Sequence, residues 1–340
     1  MAQDLKLGMI WGYWGQLPPA DIIEKTQLAE ELGFDSVWTA EAWGSDAFSP
    51  LAYLAGHTSR IKLGTSVVQI SGRTPTATAM HALTLDHLSQ GRLILGLGAS
   101  GPQVVEGWYG QPYRKPLART REYVEIIRRV LAREEPLEFD GEFYQHPYHG
   151  PGSVGLGKPL KAITHPFRRE IPIFLGAEGP KNVTMTAEIA DGWIPLYYSP
   201  FRQDVYADQL AGSKDDFEVV ALANINITDD VEAGLAPVKM MLAFYIGGMG
   251  AKGQNFHTEL MARMGFGDAA FAIQDLFFEG RRDEAIALVP DEFADEISLV
   301  GPPARIRERL EVWRDSPVTT VTMYPSSAEQ MRLAAELVLG

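Results

Sequence analysis

The chain predicts a closed (β/α)8 TIM barrel of the α/β class, carrying insertion segments, on three observations. Short apolar runs alternate with helical apolar patterns at βα spacing along most of the 340 residues. About eight such units can be counted, enough to close a parallel sheet through right-handed crossovers. Finally, glycine-rich turns follow the fourth and fifth strands, where a barrel places its functional loops.

The elements follow in order. Residues 5–13 (L-K-L-G-M-I-W-G-Y) read as strand one, and 18–32 as a helix with Ile22, Ile23, Leu28, Ala29 and Leu32 on one face, closed by Gly33. Strand two covers 36–40 and a helix 48–58; strand three covers 61–70, followed by a helix running through His87. Strand four is 91–98, and a long helix occupies 116–133. From 134 to 170 the rhythm lapses into Gly, Pro, His and Tyr, which reads as an excursion serving as a lid, since strands resume afterwards. Strands five and six, 171–175 and 193–198, flank a helix at 181–190; strand seven is 218–228. A long helical region at about 231–290, broken at its glycines, precedes a helix at 303–315, strand eight at 318–324 and a last helix at 328–337. One domain over 1–340 is the expectation.

Composition narrows the function. A net charge of −14 argues against a nucleic-acid partner, which needs clustered Lys and Arg, but leaves room for a small anionic cofactor on a few local groups. No apolar run reaches the ~18 residues of a membrane span, and residues 1–10 show no basic leader, so a cytoplasmic protein is expected. The absence of cysteine removes disulfides, thiolate metal sites and a Cys nucleophile. The seven His are scattered without metal-site spacing, so no metal is expected, and G-A-S-G-P at 98–102 lacks nucleophile-elbow spacing.

At the strand ends two turns stand out. Gly176-Ala177-Glu178-Gly179-Pro180 joins strand five to a helix with Pro at its first turn, which suits an anion site as well as a plain tight connection. Ala99, Ser100 and Gly101 make a second turn after strand four. Glycine turns, strand-end aromatics and few acids or bases suit a bound cofactor that brings its own chemistry.

The motifs R-L-I-L-G-L-G-A-S-G at 92–101, W-Y-G at 108–110, R-T-R-E-Y-V-E-I-I-R from Arg119, G-A-E-G-P-K-N at 176–182 and E-I-A-D-G-W at 188–193 resemble the bacterial luciferase-like oxidoreductases. Within them the chain is most similar to the F420-dependent branch that includes methylenetetrahydromethanopterin reductases, over residues 5–324. The resemblance implies coenzyme F420 at the barrel mouth, its phosphate on Gly176, Ala177, Glu178, Gly179 and Pro180 with Lys181 and Asn182 in support. It also implies a non-prolyl cis peptide at Ser66-Val67 behind the deazaflavin, with Ala99, Ser100 and Gly101 beside it. The implied reaction is hydride exchange between the deazaflavin C5 and a small organic substrate. Glu41 is the candidate catalytic group, for proton handling or for hydrogen bonding alone, although Glu41-Ala42 replaces the Asp-His pair of several relatives. Trp11, Tyr13, Gln69 and Tyr197 are the candidate substrate-pocket residues, and relatives imply a homodimer. The alternatives are an FMN-dependent monooxygenase and a cofactor-binding protein without turnover.

Overall fold

The computed structural model describes residues 4–253 and 255–340. Eight parallel strands form the barrel in chain order: Lys6–Gly12, Ser36–Thr39, Lys62–Thr65 with its continuation Val68–Gln69, Leu93–Gly98, Ile173–Gly176, Gly192–Ile194, Glu218–Leu222 and Thr320–Met323. The eighth pairs with the first, Thr320 opposite Lys6, and the third with the fourth, Leu63 opposite Leu93, so the sheet closes on itself. Leu7, Met9, Leu63, Leu95 and Ile173 face outward into the main core beneath the helices. Among the described residues, no helix is long and apolar enough to cross a membrane.

The bore is filled by two aromatic rings. Trp38 and Phe174 stack at 6.1 Å and, with Ile94 and Val220, form a cluster separate from the outer core. Rings of that size fit because neighbouring strands offer glycine. A Cβ on Gly64 would overlap the Trp38 ring, and one on Gly192 would lie 2.7 Å from Phe174. The Trp38 indole N–H donates to Ser36 Oγ at 2.9 Å, so its buried polar atom is satisfied.

At the N-terminal face Glu30, in the last turn of the helix Ile22–Glu31, accepts from the backbone N–H groups of Ser59, Arg60 and Ile61 and from Ser59 Oγ. Burial opposes its charge, but these four donors outweigh it and hold the carboxyl down to about 2 from 4.5. A depressed carboxylate stabilises the fold fully above its unfolded value, and that contribution is lost as pH falls through the folded one. We expect Glu30→Gln to cost about 2 kcal/mol at pH 7, part of it screened by solvent, and the gap from wild type to shrink between pH 4.5 and about 2. Urea denaturation of both proteins across that range is the check; a gap independent of pH would exclude the charged form as the source.

Four expectations need correction. Strand three is interrupted at Ser66 and Val67, whose peptide is cis. Strand six ends at Ile194, because Pro195 cannot donate to the ladder. The seventh strand ends at Leu222; Asn224, with φ of 42°, turns the chain outward, and Asn226–Ile227 pairs with Val300–Gly301 in a separate two-stranded sheet. The helical region is five helices, Val231–Gly248, Phe256–Met261, Gly267–Phe278, Arg282–Ala287 and Asp291–Glu296, with a π-helical turn over Ala262–Phe266.

The excursion at 134–170 is not a lid. It carries a small hairpin, Phe139–Asp140 with Gln145–His146, held to the helix Pro116–Ala132 by Glu122, which accepts from the N–H groups of Glu142, Phe143 and Tyr144. Its far end is tied to the base of the barrel, where Arg168 donates to the buried Asp86 at 2.6 Å and to Leu93 O at 2.7 Å. None of its residues lines the cavity at the opposite face.

Candidate functional site

A cavity of about 770 Å³ opens at the C-terminal ends of the strands. Its floor is the top of the bore cluster, Trp38 and Val220 with Ile10 and Ile194. Its back wall is Ser66 and Val67. The Val67 side chain is seated between two glycines: a Cβ on Gly98 would lie 2.5 Å from it, and one on Gly176 3.3 Å. Larger residues at those two strand ends would push Val67 into the cavity. Ala99, Ser100 and Gly101 extend the wall, with Ser100 in the left-handed region at φ 58°.

Beside the wall stands the turn 176–180. Gly179 is the N-cap of the helix Pro180–Ile189, no side chain caps it, and nothing lies within 4 Å of where its Cβ would be. Pro180 has no N–H and Asn182 N–H donates to Gly179 O at 2.9 Å, so the Lys181 N–H is the donor of this first turn left for an anion, at the positive end of the helix. Two carbonyls of this turn are already taken, Ala177 O by the Trp193 indole at 2.8 Å and Glu178 O by Arg263 at 2.8 Å. Lys181 and Asn182 line the same corner.

Glu41 lies on the cavity rim but is fully engaged. Its Oε1 accepts from Gln69 N at 2.9 Å and from Arg73 Nη1 at 2.6 Å, and its Oε2 from Ala47 N at 3.2 Å. The side chain is 3% exposed and that of Arg73 19%. Such a carboxylate anchors the loop after strand two. Gln69 donates to Glu41 O at 3.1 Å while its own Oε1 is buried without a partner. Asp46 caps the helix Phe48–Ala55 through the N–H groups of Phe48 and Ser49; burial opposes its ionisation, but those bonds and Arg73 outweigh it and lower its pKa.

The roof comes from the stretch after strand seven. Gly248, Met249 and Gly250 end one helix, and Phe256, His257 and Glu259 begin the next. Asn255 clamps the two together, donating to Tyr245 O and Ile246 O and accepting from His257 N. His257 Nδ1 lies 2.8 Å from Glu178 Oε2, yet out of line for a hydrogen bond, so both atoms are without a partner.

Of the residues singled out from sequence, Tyr13, Glu41, Ser66, Val67, Gln69, Ala99, Ser100, Gly101 and Gly176 through Lys181 meet on this one cavity. Two do not. Trp11 points outward and donates its indole N–H to Thr26 Oγ1 of the first helix at 3.1 Å. Tyr197 is 1% exposed and sits behind the wall, its ring 5.9 Å from both Tyr245 and His257. The roof residues and Tyr324 were missed; Tyr324 follows strand eight, where the strand-end rule reaches it, whereas the roof residues stand around the end of the helix Val231–Gly248 and the start of the helix Phe256–Met261, with no such signal. Among the described residues no group of three or more His, Cys, Asp or Glu is placed to hold a metal.

The model of the luciferase-like monooxygenase family matches residues 10–320. The chain belongs to this family. Its luciferase-like relatives include a protein of Mycobacterium tuberculosis, provisionally named a coenzyme F420-dependent oxidoreductase, which is 52% identical over 99% of this chain and 100% of its own length. The 5,10-methylenetetrahydromethanopterin reductase of Archaeoglobus fulgidus is 30% identical over 87% of this chain and 86% of its own. The structure of the F420-dependent tetrahydromethanopterin reductase from Methanopyrus kandleri superimposes with a TM-score of 0.79 over 99% of both chains at 23% identity. The chain therefore groups with the F420-dependent branch of the luciferase-like family.

Proposed function

We propose that this oxidoreductase holds coenzyme F420 in the strand-end cavity and exchanges hydride between the deazaflavin C5 and a small organic substrate. The observation that carries the reading is the joining, in one cavity of about 770 Å³, of an apolar wall at Val67 and Ala99 with an uncapped helix start at Gly179. A flat ring fits the wall, a phosphate fits the helix start, and the volume exceeds what one ring system needs. The 52%-identical relative supports the choice of cofactor. When bound, the deazaflavin supplies the hydride chemistry; the chain orients it, closes water out with the roof of Gly248, Met249, Gly250, Phe256, His257 and Glu259, and holds the strand-two loop still through Glu41 and Arg73.

The direct test is a titration of purified protein with F420 and, separately, FMN, followed by intrinsic Trp fluorescence. Saturation by F420 alone supports the proposal, and tight FMN binding without an F420 response would replace it with oxygen-dependent flavin chemistry. The turn can be tested by Gly179→Asp. Gly179 has φ of −69° and ψ of 143°, open to any residue, and Asp is a good N-cap, so melting temperature should hold or rise. Its carboxylate would occupy the anion seat, and F420 affinity should fall at least about tenfold. Unchanged affinity would remove the phosphate from this turn.

A further inference from the structure

The polar groups of the cavity are unevenly placed. The wall at strands three to five offers backbone and small side chains, whereas the opposite side is crowded with phenols. Tyr13 follows strand one, Tyr324 follows strand eight, and Tyr245 descends from the helix Val231–Gly248; all three line the cavity. The Tyr13 and Tyr324 phenols lie near enough to Tyr245 to act on its hydroxyl electrostatically. Its ring is held edge-on by His257 at 5.2 Å and by Tyr197 at 5.9 Å, so it is a fixed group.

These hydroxyls are underused by the protein. Tyr324 reaches only the sulfur of Met241, at 3.9 Å, and among the described residues Tyr13 and Tyr245 find no hydrogen-bond partner outside the phenols. Burial, followed by the neighbouring phenols, pushes Tyr245 upward, and Tyr324, 44% exposed at the rim, is an ordinary phenol donor. Both therefore stay protonated and can donate. Three convergent donors over an apolar floor of Ile10, Ile194 and Leu222 suit one oxygen on an otherwise apolar body. An anionic body is disfavoured there, because Glu259 stands on that side of the mouth.

Building on the function proposed above, we infer that Tyr13, Tyr245 and Tyr324 receive the carbonyl oxygen of the substrate, which is an uncharged carbonyl compound. In the reducing direction the carbonyl carbon gains hydride, and with it two electrons, from C5 of the reduced deazaflavin, forming the new C–H bond. The C=O π pair moves to oxygen, which takes a proton from the phenol cluster; the cluster regains it from water at the mouth, and that water is made whole by the ring N–H proton the reduced deazaflavin sheds with its hydride. The oxidised cofactor and a neutral alcohol remain. Glu41, bound to Arg73, takes no part in this transfer.

Cyclohexanone and methylenecyclohexane, which differ in C=O against C=CH2, are the probes. Binding of each to the full chain is read by intrinsic Trp fluorescence, since Trp38 floors the cavity. Wild type should prefer the ketone at least about tenfold, and Tyr245→Phe and Tyr13→Phe should each cut that ratio roughly fivefold to tenfold, the worth of one buried hydrogen bond. Tyr197→Phe, whose hydroxyl lies behind the wall, should keep it. A wild-type ratio near one, or a ratio unchanged in both Tyr13→Phe and Tyr245→Phe, overturns the inference. Titration of the same proteins with F420 reports separately: lost F420 binding by wild type would fell the proposed function while the ratio still reads the phenols.

Discussion

Replacing Arg73 by methionine is expected to destabilise the protein by about 3 to 5 kcal/mol, because it leaves a buried carboxylate without its counter-ion. Glu41 is 3% exposed, and its two remaining donors, the N–H groups of Gln69 and Ala47, are weaker partners than a guanidinium at 2.6 Å. The double variant Glu41→Gln, Arg73→Met should recover only part of the loss, since the two N–H groups sit on different carboxylate oxygens and the single amide oxygen can accept from one of them while the amide NH2 faces the other. Urea denaturation of the two single variants and the double variant gives the coupling. A loss under about 1 kcal/mol for Arg73→Met would mean that the ion pair does not hold the strand-two loop.

Gly96→Ala should cost about 3 kcal/mol or more, or abolish soluble expression. The new methyl would overlap the Thr65 carbonyl oxygen and sit 2.9 Å from Ile194. Backbone cannot rotate away as a side-chain tip can. The clash falls where strands three and four meet, beside the paired bonds of Thr65 Oγ1 to Gly96 O and from Gly96 N, both 2.8 Å. Gly179→Ala, in open space, is the matched control and should change melting temperature little. Equal behaviour of the two would show that the bore has slack.

The barrel was legible because strand and helix periods differ so clearly that eight alternations leave little freedom. The turn at 176–180 was legible because glycine and proline there have specific backbone uses. What stayed hidden has physical reasons. L-G-T-S-V-V-Q-I shows no interruption in its residue types, and the break at Ser66 was reached through the family resemblance, which placed the cis peptide at Ser66-Val67; A-L-A-N-I-N-I likewise runs on past the point where Asn224 turns away. Trp11 was misplaced although alternation argued against it, since Leu7 and Met9, at the same parity, also face the outer core, while Ile10 faces the bore. Tyr13 comes inward only because the register shifts at Gly12. The excursion announced its length but not its side, which is decided by Arg168 and Asp86, 82 residues apart in sequence.

The stacked rings of Trp38 and Phe174 stop the barrel like a cork. With the bore filled, the cavity keeps the doorway at the strand ends, which the cofactor, substrate and product of the proposed reaction would share. Traffic through it runs last in, first out: a molecule resting on the cork leaves only after whatever lies above it has gone.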